Sequence, residues 1–424
     1  LRKIALTLFF NNRLINAGTL LMVSGFITSA LGYLFQILVG RFFLPSEFAL
    51  FTATVGLSVF LGSLFGALGM LITRRVAALK TQFADGLPHT YFWRVYAFIA
   101  IGGVALSGAT TFFVPYAQEI LHTDSVALIW LIFIYVVMAM FYSVNYAIFQ
   151  GLQKFYSMAV ISTASVLLKV ILCVGLIYFG YGVIGAISGM IIALTMIVLL
   201  GFWRLSRNFC VIQHLNKPVL PSIEFAPFFA VYLSGIAIAA LTQLDTVLVN
   251  WYFPGELAGE YAAIAVLGKA VLYLPGGLAL AMFPMVAENH AKAIDSKKIL
   301  FQAVFATFIL SCLVVVIFII AGKPLLAMLY GNRYSEASKL LPLYGLAMVP
   351  LALVMLVEHY LIAKGKVLFA WLFFIMVPLE LLALHYLHSD LRSVVLIIGV
   401  FSLALAILGF LFMSITLRDK NRNE

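Results

Sequence analysis

Twelve long apolar runs, each divided from the next by a short polar segment, constrain this chain more than any other feature. They fall at about 14–39, 48–72, 92–114, 126–149, 156–179 and 183–203, then at about 226–253, 261–284, 299–321, 340–362, 367–387 and 393–416. Each is near the ~20 residues that an α-helix needs to cross the hydrocarbon of a bilayer. Lipid offers no water to the backbone, so runs of this length must satisfy their amides internally, as helices do. The sequence therefore predicts an all-α integral membrane protein with twelve transmembrane helices. A charged content of 10% agrees, since soluble domains carry roughly 25%. The net charge of +10 would elsewhere point to nucleic acid. Here the cations sit in short loops between spans, where they set topology, and no nucleic-acid partner is expected.

With the N-terminus placed in the cytoplasm, nineteen of the 26 Lys and Arg residues fall in inside segments and five in outside ones. That asymmetry predicts both termini inside. Trp203 and Tyr91–Phe92–Trp93 then fall at the inner interface and Trp251–Tyr252 at the outer one. The run at 14–39 is too long for the apolar core of a signal peptide and reads as a retained span. Cys173, Cys210 and Cys312 have no spacing that suggests a disulfide framework or a metal site.

A repeat near 210 residues organises the spans. Phe43–Leu–Pro45–Ser–Glu47 corresponds to Phe253–Pro254–Gly–Glu256, with Pro45 and Glu47 offset by 209 from Pro254 and Glu256. Val76–Ala77 and Val286–Ala287 are offset by 210, as are Lys154 and Lys364. The expected organisation is a six-helix bundle over 1–204, a cytoplasmic linker over 205–224 with Pro218 and Pro221, and a second six-helix bundle over 225–424.

Ionisable groups within the spans carry the functional signal, because charge in hydrocarbon costs several kcal/mol unless it pairs or lines a wet cavity. Asp245 precedes Phe253 by eight residues and Lys269 follows Tyr261 by eight, with 254–260 reversing the chain between them. Equal counts predict similar depth, and hence either a pair or a shared cavity. Lys169 sits mid-span and cannot easily reach an interface. Repeat register sets Glu380 within one residue of its equivalent, and Gln36 opposite Asp245. Glu358 and His359 lie within about a turn of a cytoplasmic end, where an interfacial role competes with a functional one. Pro275–Gly276–Gly277 follows Lys269, Pro378 precedes Glu380, and Pro350 lies in the Glu358 helix. Proline removes a helical hydrogen bond, so these spans are expected to kink, and Pro275→Ala is expected to slow transport with ligand binding nearly intact.

Other patterns have plainer readings. Gly180–x–Gly182–x–x–Gly185 matches a dinucleotide fingerprint but lacks its βαβ setting. Gly185 with Gly189, and Gly62 with Gly66, read as small residues at helix contacts. His385 and His388 share a helix face near Glu380 but have no further ligands for a metal, so they read as interfacial.

The chain resembles the polysaccharide exporters, the O-antigen or Wzx-type flippases, of the multidrug/oligosaccharidyl-lipid/polysaccharide superfamily. The likeness rests on Gln36–Ile–Leu–Val–Gly–Arg41–Phe–Phe–Leu–Pro45–Ser–Glu47–Phe and Phe149–Gln150–Gly151–Leu–Gln153–Lys154–Phe155. It rests also on Leu244–Asp245–Thr–Val–Leu–Val–Asn250 and Leu329–Tyr330–Gly331. It covers essentially the whole chain. It implies a MATE-like fold and a transporter rather than an enzyme, in a bacterial or archaeal cytoplasmic (inner) membrane. The implied cargo is a polyprenyl-diphosphate-linked oligosaccharide, carried to the outer leaflet by alternating access, with a polymerase or glycosyltransferases as further partners. On that reading Lys169, Lys269, Arg41 and Gln36 meet substrate, while Asp245, Glu380 and Glu358 pair or bind a coupling Na⁺ or H⁺. No other cofactor is expected. Drug exporters of the superfamily commonly carry an acid in span one, where this chain has Gln36. A cation-coupled multidrug or small-solute antiporter is the alternative. A membrane-embedded glycosyl- or acyltransferase ranks lower, because the longest loops are about twenty residues and no catalytic constellation stands out.

Overall fold

The computed structural model describes residues 13–82, 87–207, 209–210, 225–291, 296–364 and 366–420. Apart from a two-residue parallel pairing of Leu87–Pro88 (β1) with Phe209–Cys210 (β2), the regular structure among the described residues is helical. The chain forms two compact units, one of residues 1–42 and 57–223, the other of residues 43–56 and 224–424.

The first unit contains α1 (Arg13–Phe42), the end of α2 (Pro45–Ser63), α3 (Gly66–Gln82) and α4 (His89–Leu121). It continues through α5 (Val126–Gly151), α6 (Phe155–Tyr178) and α7 (Gly182–Ser206). α5 packs against α3, α4 and α7, and α6 packs between α1 and α7. The expected run at 48–72 is broken. Leu64 and Phe65 leave the α-helical ladder, with the Leu64 and Phe65 amides donating to the Leu61 and Gly62 carbonyls three residues back. A Cβ on Gly62 or Gly66 would meet nothing within 4 Å, so these glycines flank a break and make no close contact. Gly189 behaves as expected: a Cβ there would lie 2.9 Å from the Cys173 Cα, which brings α6 and α7 together. Gly180 (φ 86°) and Gly182 (φ 56°) use the left-handed conformations that favour glycine to turn between them. The fingerprint-like glycines thus make a turn and a helix contact. α4 bends by 66° between its segments Thr90–Leu106 and Thr111–Leu121.

The second unit holds the start of α2, then α8 (Phe225–Tyr252), α9 (Gly255–Gly268), α10 (Ala270–Tyr273) and α11 (Gly276–Ala291). α12 (Lys297–Tyr330), α13 (Leu341–Ala363), α14 (Ala370–Tyr386) and α15 (Leu391–Lys420) complete it. α13 is its hub, packing against α9, α10, α11, α12 and α15, while α14 packs on α8. The two Pro/Glu corners recognised in the repeat meet here. A Cβ on Gly259 would lie 2.1 Å from the Pro45 carbonyl oxygen, so only glycine lets these backbones approach so closely. Phe48 packs against Tyr330 and Tyr334 beside them. The chain reverses at Phe253–Pro254, not across 254–260, because Gly255–Glu260 is already helical.

Among the described residues ten helices are long and apolar enough to cross a membrane, or eleven if bent α4 is one span. α14, over the expected run 367–387, is apolar but only 17 residues long. Each of the twelve expected runs falls on helix. Between α12 and α13, Lys339 Nζ bonds Glu336 Oε2 at 2.6 Å, and this holds the exposed Glu336 carboxyl below the usual carboxylate range.

Candidate functional site

Asp245 and Lys269 pair. Lys269 Nζ lies 3.0 Å from Asp245 Oδ1, and the two residues are 7% and 3% exposed. The other carboxylate oxygen is taken as well: Tyr261 donates to Oδ2 at 3.1 Å and Tyr344 at 2.7 Å. The two tyrosine rings meet edge to face, with centroids 5.7 Å apart. Four segments supply the cluster: α8 carries Asp245, α9 Tyr261, the α9–α10 junction Lys269, and α13 Tyr344. Counterion and hydroxyl donors together offset the desolvation that makes a lone buried charge costly. Gly268 permits the arrangement, since a Cβ there would stand 2.2 Å from the Tyr344 Cδ1.

The break after Lys269 has a clear cause. Pro275 has no N–H, so the carbonyl four residues earlier, on Val271, loses its helical donor. Ser311 of α12, fully buried, donates its hydroxyl to that carbonyl at 3.0 Å. A serine from the next span, rather than a wet cavity, satisfies this carbonyl.

Glu380 on α14 is 4% exposed, and its Oε2 is buried without a hydrogen-bond partner among the described residues. It stands within electrostatic range of Asp245 and Tyr261. Glu358 is separate. Its Oε1 accepts a short bond from Ser234 Oγ, and its Oε2 lies 3.2 Å from His359 Nδ1. Ser234 and Asp245 are eleven residues apart on α8, about 16 Å along the axis. Glu358 therefore locks α13 to α8 well away from the pair.

In the first unit, Lys169 on α6 makes no ion pair among the described residues; its Nζ lies 4.6 Å above the Phe35 ring of α1. One residue on, Gln36 buries an Oε1 with no hydrogen-bond partner there. Arg41 is exposed in the last turn of α1. Arg75, one of the nineteen cations in the inside segments, is 7% exposed on α3, with Nε and Nη2 unbonded among the described residues. At the far end of α8, Tyr252 bonds His385 Nδ1 at 2.6 Å and stacks on His388 at 3.9 Å. These histidines belong to an aromatic cluster.

The fold is that of the MATE transporters. An inward-facing multidrug-resistance MATE transporter of the MOP superfamily aligns with a TM-score of 0.72 at 16% identity, over 93% of this chain and 96% of its own. The lipid II flippase MurJ, in an inward closed conformation, aligns with a TM-score of 0.71 at 16% identity, over 93% and 87%. An outward-facing MATE transporter gives 0.65 at 17%, over 96% and 97%. No curated protein sequence matches the chain. The fold thus defines a helical multi-pass membrane protein with the MATE architecture. Within that class, the sequence matches the polysaccharide biosynthesis protein family over residues 14–290, and the chain belongs to that family.

Proposed function

We propose that this protein moves a polyprenyl-diphosphate-linked oligosaccharide from the inner to the outer leaflet by alternating access, with both termini in the cytoplasm. The family match over residues 14–290 carries this reading. A lipid-linked glycan presents an anionic diphosphate, a hydroxyl-rich head and an apolar tail. Lys169 offers a cation without a counterion among the described residues. Arg41 can grip two phosphate oxygens at once, and Gln36 presents an unused amide oxygen to a sugar hydroxyl. The tail has a fitting surface in an open, almost wholly apolar groove of about 840 Å³ between α12, α13 and α15.

Lys269 reaches substrate only by leaving Asp245. Exchange of that partner for a diphosphate, or entry of H⁺ or Na⁺ at Asp245 and Glu380, is the coupling step we assign to the second unit. We further propose that the two six-helix halves, 1–204 and 225–424, arose by duplication. A cation-coupled small-solute antiporter is the second reading, favoured by the orphan Glu380 oxygen beside Asp245 and by the drug-exporting MATE neighbours.

The test is flipping of a short-chain fluorescent polyprenyl-diphosphate sugar in proteoliposomes by wild type, Lys169→Ala and Lys269→Ala. Flipping that falls at least tenfold in either variant, about 1.4 kcal/mol of transition-state stabilisation, supports the flippase and a cationic site. Absence of flipping together with gradient-driven uptake of a cationic dye would replace it with the antiporter.

A further inference from the structure

α3 and α5 touch tightly at one end and part at the other. At the tight end, a Cβ on Gly151 would lie 2.7 Å from the Val76 side chain and 2.8 Å from the Thr73 carbonyl oxygen. Further along α3, the two helices leave an open pocket of about 340 Å³. It is lined by Gly66 and Gly69, whose missing side chains leave it room, and by Thr73, Arg74, Ser143, Tyr146 and Gln150. The volume is at the lower end of the ~300–1,000 Å³ typical of small-ligand sites, room for one or two sugar rings.

The chemistry of the walls is one-sided. No carboxylate among the described residues lines the pocket. Arg74 is exposed at its rim, and among the described residues its guanidinium has neither a hydrogen bond nor an ion pair. The single Thr73 hydroxyl proton has three acceptors in reach, the Gly69 carbonyl at 2.9 Å, the Ala147 carbonyl at 3.2 Å and Gln150 Oε1 at 3.3 Å. The exposed Gln150 amide beside it can both donate to and accept from a ligand. Ser143 adds a hydroxyl, and Tyr146, stacked on Tyr142 at 6.2 Å, adds an aromatic face. Beyond the rim the field stays positive. In the α5–α6 loop, partial burial first, then the charges of Arg204 and Lys80, hold Lys154 below the ordinary lysine range. Lys80 itself bonds the Leu152 carbonyl at 3.1 Å and Gln153 Oε1 at 3.0 Å.

We propose that this pocket binds the phosphate-proximal sugar of the transported lipid, with Arg74 on a phosphate oxygen, Gln150 and Ser143 on ring hydroxyls, and Tyr146 against the C–H face of the ring. The assignment rests on the flippase reading and names the part of the substrate that the first unit selects. A guanidinium suits phosphate because its fork of donors matches two oxygens. A free sugar phosphate offers the same head without the prenyl chain.

Two variants test it on the full chain in nanodiscs. Arg74→Gln removes the cation. Gly66→Leu fills the pocket, and because a Cβ on Gly66 meets nothing within 4 Å, the added side chain has space. Arg94→Gln, an exposed arginine on α4, is the charge control. The probes are C20-prenyl diphosphate bare and bearing N-acetylglucosamine, glucose or galactose, together with the same sugars as 1-phosphates, each titrated by tryptophan fluorescence. The expected result is binding of at least one lipid-linked sugar that weakens tenfold or more in both variants and is unchanged in the control, all with wild-type melting temperatures. Gly66→Leu should spare the bare prenyl diphosphate. Tight binding of a lipid-linked sugar that neither variant weakens threefold would overturn the pocket and leave the flippase reading standing. If only sugar 1-phosphates bind, and Arg74→Gln weakens them, the lipid-linked reading falls and the site is one for soluble sugar phosphates. If no probe binds wild type, both fall.

Discussion

The two units differ in how the polar groups of their spans are partnered. In the second, Asp245 has Lys269 on one oxygen and two tyrosine hydroxyls on the other, so both carboxylate oxygens are bonded. In the first, Lys169 has an aromatic ring for company, Gln36 an unused oxygen, and Arg75 two unused nitrogens. A satisfied cluster contributes to stability and uniqueness of packing. An unsatisfied one costs free energy in the resting protein and recovers it when a ligand supplies the partner. The second unit therefore holds a bonded cluster beside an unpartnered Glu380 oxygen, and the first holds polar groups whose bonds are still to be made among the described residues.

Substitutions that break this contrast should differ in size. The largest effect belongs to Asp245→Asn, which leaves the Lys269 ammonium buried and uncompensated. Loss of one partner of a buried pair costs about 3–5 kcal/mol, and thermal unfolding in detergent should show it. Asp245→Asn with Lys269→Met should recover much of that loss; if the double variant is as unstable as the sum of the singles, the pair is not the unit of stability.

Next comes Gly268→Ala. The new methyl collides with the Tyr344 ring, and overpacking of this kind costs about 1–3 kcal/mol. An unchanged melting temperature would mean that Tyr344 does not need its place against Gly268. Ser311→Ala should cost about 1–3 kcal/mol, since it leaves the Val271 carbonyl buried and unmade. In a Pro275→Ala background that cost should shrink, because residue 275 then supplies the helical N–H. Equal costs in both backgrounds would refute the Ser311 assignment.

Lys169→Met sits lower on the scale, at about 1 kcal/mol or less, the range of a partly exposed cation–π contact. Its signature is a flipping rate that collapses while the melting temperature holds. A large stability loss would turn Lys169 into a structural residue. Glu336→Gln should leave the melting temperature unchanged, since the Glu336–Lys339 contact lies in water at the protein surface. In the wild type the Glu336 carboxyl should titrate below an ordinary glutamate, because its hydrogen bond from Lys339 and that residue's charge favour the ionised form; an ordinary glutamate titration by NMR would contradict the bond.

Much of this was legible in the sequence, for reasons that differ from element to element. The spans were legible because lipid removes every alternative for an apolar backbone of that length. Asp245 and Lys269 stood out because charge in hydrocarbon needs an explanation. The kink at Pro275 was legible from a missing N–H, and the same rule marks Val271 as the carbonyl in need of a donor. No local rule names Ser311, which comes from forty residues away. Tyr261 and Tyr344 were equally out of reach, since tyrosine in a span reads as one more large side chain until its hydroxyl is seen to meet a carboxylate. The glycines divide the same way. Gly189 makes a contact and Gly66 opens a pocket, although both sit in Gly-xxx-Gly pairs.

Hydropathy and charge asymmetry are sums over neighbours along the chain, so the sequence by itself determined the class of solvent, the helical content and the family. Which buried polar group finds a partner depends on helices brought together across tens to hundreds of residues. Only the tertiary structure decided that both Asp245 oxygens are bonded, that among the described residues a Glu380 oxygen and two Arg75 nitrogens are not, and that Arg74 lines an open pocket.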